Sequence, residues 1–111
     1  MRWGKTRRSR QRVTYHHDPD TVDVLAAVAA IEADDWDSVV VGDNVVDMAQ
    51  AIADAVVPGT TVALLSTSTP TVIDENGDTP LHGGSEVVFR VTKGTAQGDT
   101  VEFLIMVATG L

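Results

Sequence analysis

Residues 86–108 read EVVFRVTKGTAQGDTVEFLIMVA, and their patterning decides the fold. The first seven alternate, with Val87, Phe89 and Val91 on one face and Glu86, Val88, Arg90 and Thr92 on the other. A two-residue period of this kind predicts a strand with one side on a core. Residues 94–98 begin and end on glycine and predict the next turn. Residues 100–108 then return as a strand, with Val101, Phe103, Ile105 and Val107 on the core face. The second face of that strand reads Thr100, Glu102, Leu104, Met106, Ala108, so it becomes apolar toward its end. A strand apolar on both sides is covered on both. Helices of the same domain over the second face are the first expectation. Burial against another subunit is the alternative, with Leu104 and Met106 as contact residues.

Upstream of this pair, residues 61–65 form a further apolar β-type run. Residues 66–70 are all Ser, Thr and Pro and predict an extended edge segment, where proline is tolerated. Val72 and Ile73 precede Asp74-Glu75-Asn76-Gly77-Asp78, and Asn-Gly is a strong hairpin signal.

Further upstream the period lengthens. Val45, Met48, Ala49, Ile52 and Val56 form one helical stripe, opened by the capping residue Asn44 and stopped by Pro58-Gly59. Val39 to Val41 follow Ser38 as a short buried strand. An earlier helix starts from Asp20 or Thr21 as cap and ends near Ala33, with Val22, Leu25, Val28, Ala29 and Ile31 facing the core. The order is helix, strand, helix, strand and a three-strand meander. It predicts one α+β domain, residues 16–111, with two short helices packed on a mostly antiparallel sheet. A β-sandwich with a helical insertion is the second choice.

Residues 1–15 form an extended N-terminal arm of different character. Arg2, Lys5, Arg7, Arg8, Arg10 and Arg12 put +6 on the first twelve residues with no acid among them. The other 99 residues hold only Arg90 and Lys93 against all 16 acids, so they carry −14, and the net charge of −8 conceals the division. An arm of opposite sign to its body favours contact with other copies of that body. Docking on an acidic protein neighbour, with Trp3 and Tyr15 as apolar anchors, is the favoured reading of the arm; a solvated tail is the plain alternative. Nucleic-acid contact is not favoured, because the −14 body repels a polyanion and Trp3 is the only aromatic inside the basic run. The acids are mostly Asp and lysine is scarce, a composition shared by salt-adapted and high-GC proteins.

The chemistry-bearing residues form no recognisable constellation. No cysteine is present, which removes disulfides, thiolate catalysis and cysteine zinc sites. His16-His17-Asp18-Pro19-Asp20 reads as a turn, since adjacent histidines on a strand point to opposite sides. Asp34, Asp35 and Asp37 surround Trp36 in a helix-end loop whose tryptophan tucks under the domain. In residues 74–78 glycine comes fourth, whereas an EF-hand loop places it sixth. Nothing pairs Ser66, Thr67, Ser68 or Thr69 with His82 as nucleophile and base. The expectation is therefore a non-enzyme with no cofactor and no metal. No run of 18 apolar residues and no apolar leader appear, which predicts neither a transmembrane nor a Sec-exported chain.

The basic arm, the Ser/Thr/Pro segment 66–70 and the strands at 86–92 and 100–108 together resemble the minor structural proteins of tailed viruses. The Asp excess is similar to those of haloarchaeal or high-GC hosts. The resemblance spans the chain but rests on no diagnostic motif, so it transfers no functional residue. It implies capsid decoration, head–tail connection or a tail component, with localisation in the virion. The partners would be other protein subunits, in a homo-oligomer or larger assembly. The alternative is a cytoplasmic partner- or ligand-binding module with an incidental basic tail; a small nucleic-acid-associated regulator comes third.

Overall fold

The computed structural model describes residues 18–110. They form an α+β domain in the order α1 (Pro19–Ala33), α2 (Val45–Val56), β1 (Thr61–Thr67), β2 (Gly83–Lys93), β3 (Ala96–Asp99) and β4 (Phe103–Val107). Val13-Thr14-Tyr15 reads in the sequence as a short strand and, with the rest of the arm, lies outside the described residues.

Helix α1 begins slightly earlier than its sequence suggests. The Asp18 carboxylate accepts from the Asp20 backbone N–H at 3.2 Å, and Pro19 occupies the first helical position. Proline suits that position because its missing N–H would have no helical partner. At the other end the Trp36 indole N–H donates to the Ile31 carbonyl at 3.0 Å and satisfies one of the carbonyls a helix end leaves free. Trp36 is buried, as expected, with its ring 5.6 Å from Phe89 and 5.8 Å from Phe103.

The buried stripe of α1 is Val24, Ala27, Val28 and Ile31. The expected Val22, Leu25 and Ala29 are exposed instead. The helix carries two apolar stripes, and close contact with β3 selects between them. Gly98 lies under α1, where an added Cβ would meet Val24 at 3.0 Å and Val28 at 3.5 Å. Only the stripe above glycine can approach the sheet this closely.

Helix α2 matches its expected span. Asn44 caps it by accepting from the Asp47 N–H at 2.9 Å. Val45, Ala49 and Ala53 are buried, with Met48 and Ile52 packed partly against the core, while Val56 is exposed.

The sheet is antiparallel throughout. β2 is its long central strand, paired with β1 along one edge. On the other edge β3 pairs with Arg90 to Lys93 and β4 with Gly83 to Val87. β3 and β4 are thus one returning strand, interrupted near residues 100–102. At the break Thr100 donates its N–H to the Phe89 carbonyl at 2.9 Å and accepts from the Phe89 N–H on its hydroxyl at 3.0 Å. Val101 turns outward and donates its N–H to the Glu32 carboxylate at 2.8 Å. Thr100 is therefore buried and Val101 is 64% exposed, the reverse of the expected alternation. From Phe103 onward the expected phase holds. The turn between β2 and β3 is also tighter than expected, since Lys93 already pairs with Ala96.

The expected short strand at 38–41 and the expected hairpin at Asn76-Gly77 do not form as such. Residues 38–41 contribute a single parallel bridge, Val40 to Ala108, before the turn at Gly42. Val72 and Ile73 curl back, both N–H groups donating to the Thr69 carbonyl. Asn76-Gly77 consequently makes no hairpin. Its loop docks on the start of α2, where the Val45 N–H donates to the Gly77 carbonyl at 2.8 Å and the Asn44 amide donates to the Asn76 carbonyl and the Asp78 carboxylate.

Both helices lie on one face of the sheet. Val24, Ala27, Val28, Ile31, Val45, Ala49 and Ala53 from the helices meet Val62, Val87, Phe89, Val91, Ile105 and Val107 from the strands. No helix among the described residues is long and apolar enough to cross a membrane.

Candidate functional site

Thr67, Ser68, Ser85 and Asp74 are engaged in holding the fold together. Thr67 donates to the Ile73 carbonyl and lies 2.7 Å from the Ser85 hydroxyl, which accepts from the Thr69 N–H. Ser68 continues the pairing of β1 with β2 by exchanging bonds with the Glu86 backbone. These hydroxyls pin residues 66–73 to the sheet. His82 is exposed and makes no hydrogen bond to them among the described residues. Asp74 spends a carboxylate oxygen on the N–H groups of Asn76 and Asp78, which closes its own turn. Among the described residues there is neither a cluster of three metal-ligating side chains nor a pocket.

The electrostatics are one-sided. Arg90 and Lys93 are the only Arg or Lys among residues 18–110, and both are already ion-paired. Arg90 makes a two-pronged contact with Asp99, at 2.8 and 3.1 Å. That bond holds the Asp99 carboxyl below its ordinary pKa and raises the Arg90 guanidinium. Lys93 bonds to Asp23 and lies 3.8 Å from Asp20, and its pKa is raised chiefly by the Asp23 bond. The remaining carboxylates have no cationic partner among the described residues.

The outer face of the sheet contains the other candidate feature. The first expectation for the apolar second face of residues 100–108, a cover of helices, is incorrect. Both helices occupy the opposite side, drawn there by the larger apolar stripe of β2. Leu104 and Met106 are 54% and 57% exposed. In register they stand opposite Glu86 and Gly84. Both side chains lie over Gly84, where an added Cβ would come within 2.9 Å of the Met106 sulfur and 3.2 Å of the Leu104 Cδ1. Val88, half-buried, lies one step further along the same face of β2.

The two lateral edges of the sheet differ as well. On β1 the Gln50 side chain acts as a short substitute strand, accepting from the Val62 N–H at 2.9 Å and donating to the Thr60 carbonyl at 2.8 Å. On β4 only the far end is paired, where Ala108 donates to Val39 and accepts from Val41. By the two-residue period of a strand, the N–H and C=O groups of Leu104 and Met106 turn to this same side. Among the described residues nothing bonds to them there.

Of the predicted contact residues, Leu104 and Met106 thus come together on one open patch. Arg2, Trp3, Lys5, Arg7, Arg8, Arg10 and Arg12 lie outside the described residues. Sequence reading missed Gly84 and Gln50. Gly84 has a traceable signal, since pairing 86–92 with 100–108 puts it under the two apolar side chains. Gln50 has none, because a lone polar residue on a helix does not announce a strand edge. No family model matches this chain, and neither a curated protein nor a solved structure matches it.

Proposed function

We propose that the protein is a structural assembly subunit that docks through its basic N-terminal arm on the acidic body of a neighbour. The observation that carries this reading is the division of charge. Six cations without an acid occupy residues 1–12, while residues 18–110 hold sixteen acids and spend both of their Arg and Lys side chains internally. Opposite charges on two parts of one chain attract head to tail, a contact that closes into rings or extends into arrays. The resemblance to minor structural proteins of tailed viruses supplies the class: a capsid decoration, head–tail connector or tail component.

Deleting residues 1–12 tests the reading, with light scattering after size exclusion and circular dichroism as readouts. The full chain is expected to assemble and the truncated chain to remain folded and monomeric. Assembly should weaken with added salt, to the extent that exposed charges contribute. A truncated chain that assembles normally overturns the proposal. A full chain that is monomeric at every concentration, and does not join a virion partner, points instead to a lone binding module.

A further inference from the structure

We infer that the arm's docking place on the neighbour is the open patch formed by Leu104, Met106 and the free edge of β4, with Trp3 seated on the two apolar side chains. This rests on the arm-docking reading and gives it a location. Three properties of the patch converge there. Its side chains are apolar and more than half exposed, and Gly84 beneath them provides a flat floor. Its backbone offers the N–H and C=O groups of Leu104 and Met106 to an added strand, which is how extended peptides join sheet edges. Its border is acidic: Glu86 stands opposite Leu104 and Glu102 precedes it by two residues, both without a cation partner among the described residues.

The arm has the complementary chemistry. Trp3 stands between Arg2 and Lys5, an aromatic ring with cations close on either side. A ring over Leu104 and Met106 would set those cations near Glu86 and Glu102. A second copy of the sheet face is a poorer occupant, since it would bring its own Glu86 and Glu102 against these carboxylates. Length also permits the contact. Fifteen residue steps lead from Trp3 to Asp18, and an extended chain spans at most about 3.6 Å per step, or roughly 54 Å. Asp18 immediately precedes α1, whose Asp20 carboxylate lies over Gly94 at the hairpin end of the sheet, and the patch lies toward the other end.

The absence of cysteine makes disulfide trapping a clean test in the full chain. Gly4→Cys and Val88→Cys are made separately, leaving Trp3, Leu104 and Met106 intact, and the two proteins are mixed and oxidised. Ala55→Cys, on the exposed surface of α2, replaces Val88→Cys in the control. The proposal expects a mixed dimer of Gly4→Cys with Val88→Cys and not with the control. Adding Leu104→Ser and Met106→Ser to the Val88→Cys chain should cut its yield about tenfold, as apolar contact is lost. A further chain carrying both Gly4→Cys and Val88→Cys is oxidised alone when dilute, and three results overturn the proposal: Val88→Cys pairing mainly with itself, a crosslink formed within that doubly substituted chain but not between the two single variants, or a yield no higher than the control. If the 1–12 deletion abolishes assembly while one of these results is found, the arm still docks and only its location is wrong. If the deletion leaves assembly intact, the underlying reading fails.

Discussion

On β2, Val87, Phe89 and Val91 point into the core and are fully buried, whereas Glu86, Val88 and Arg90 lie on a face that no described helix covers. The same contrast recurs on β4, where Ile105 and Val107 are buried but Leu104 and Met106 are not. The edges repeat it, with Gln50 closing part of β1 and nothing described closing β4 beside Leu104. Alternation alone therefore assigns residues to a face, but not to a cover. A polar outer face needs no cover. One that turns apolar at Leu104 and Met106, beside an unpaired edge, is a contact surface or an aggregation liability.

Substitutions on the two faces should separate these roles. Phe89→Ala removes the ring between Trp36 and Phe103 and should cost about 3–5 kcal/mol by denaturant unfolding. A loss below about 1 kcal/mol would mean that the inner face is not the packed side. Gln50→Ala should cost about 1–2 kcal/mol, because the partly buried Val62 N–H loses its acceptor and the β1 edge opens. Its second signature would be self-association through β1, visible by light scattering. Leu104→Ser with Met106→Ser should change unfolding free energy by no more than about 0.5 kcal/mol, since both side chains are already in water in the single chain. A large loss of stability in dilute solution would show that something in the same chain covers them.

The smallest effect concerns the surface ion pair of Arg90 with Asp99. The folded chain holds Asp99 below its ordinary value of 3.8, so the pair's contribution is present above that pH and is lost as pH falls through the lower folded value. Asp99→Asn should flatten this acid-side loss, measured as the denaturant midpoint against pH. An unchanged slope would remove the pair from the account.

Much of the inner face was legible in the sequence, and the reasons are local. The stripe of α2, its Asn44 cap and the alternation of residues 86–92 each follow from a single period or a single capping bond. The failures arise where tertiary contact chooses between local options. Helix α1 offers two apolar stripes, and only the glycine across from it at position 98 settles which is buried. Thr100 resets the alternation by using its hydroxyl as a substitute for a backbone partner. Asn76-Gly77 forms a turn, as its residues require, but docks on a helix start rather than joining two strands. On the candidate surface, Leu104 and Met106 could be identified from the second apolar phase of residues 100–108. That the helices left them bare could not, since a strand's own pattern contains no information about the distribution of cover between its two sides.

Amide hydrogen exchange of the full chain over a concentration series tests the central claim most directly, that the outer face and edge at β4 are open in the single chain and covered on assembly. The Leu104 and Met106 amides should exchange fast when dilute and become protected as assembly proceeds, while the Ile105 and Val107 amides, which turn toward β2, stay protected throughout. Leu104 and Met106 amides that are protected at every dilution, or that remain unprotected in the assembled state, would contradict the account.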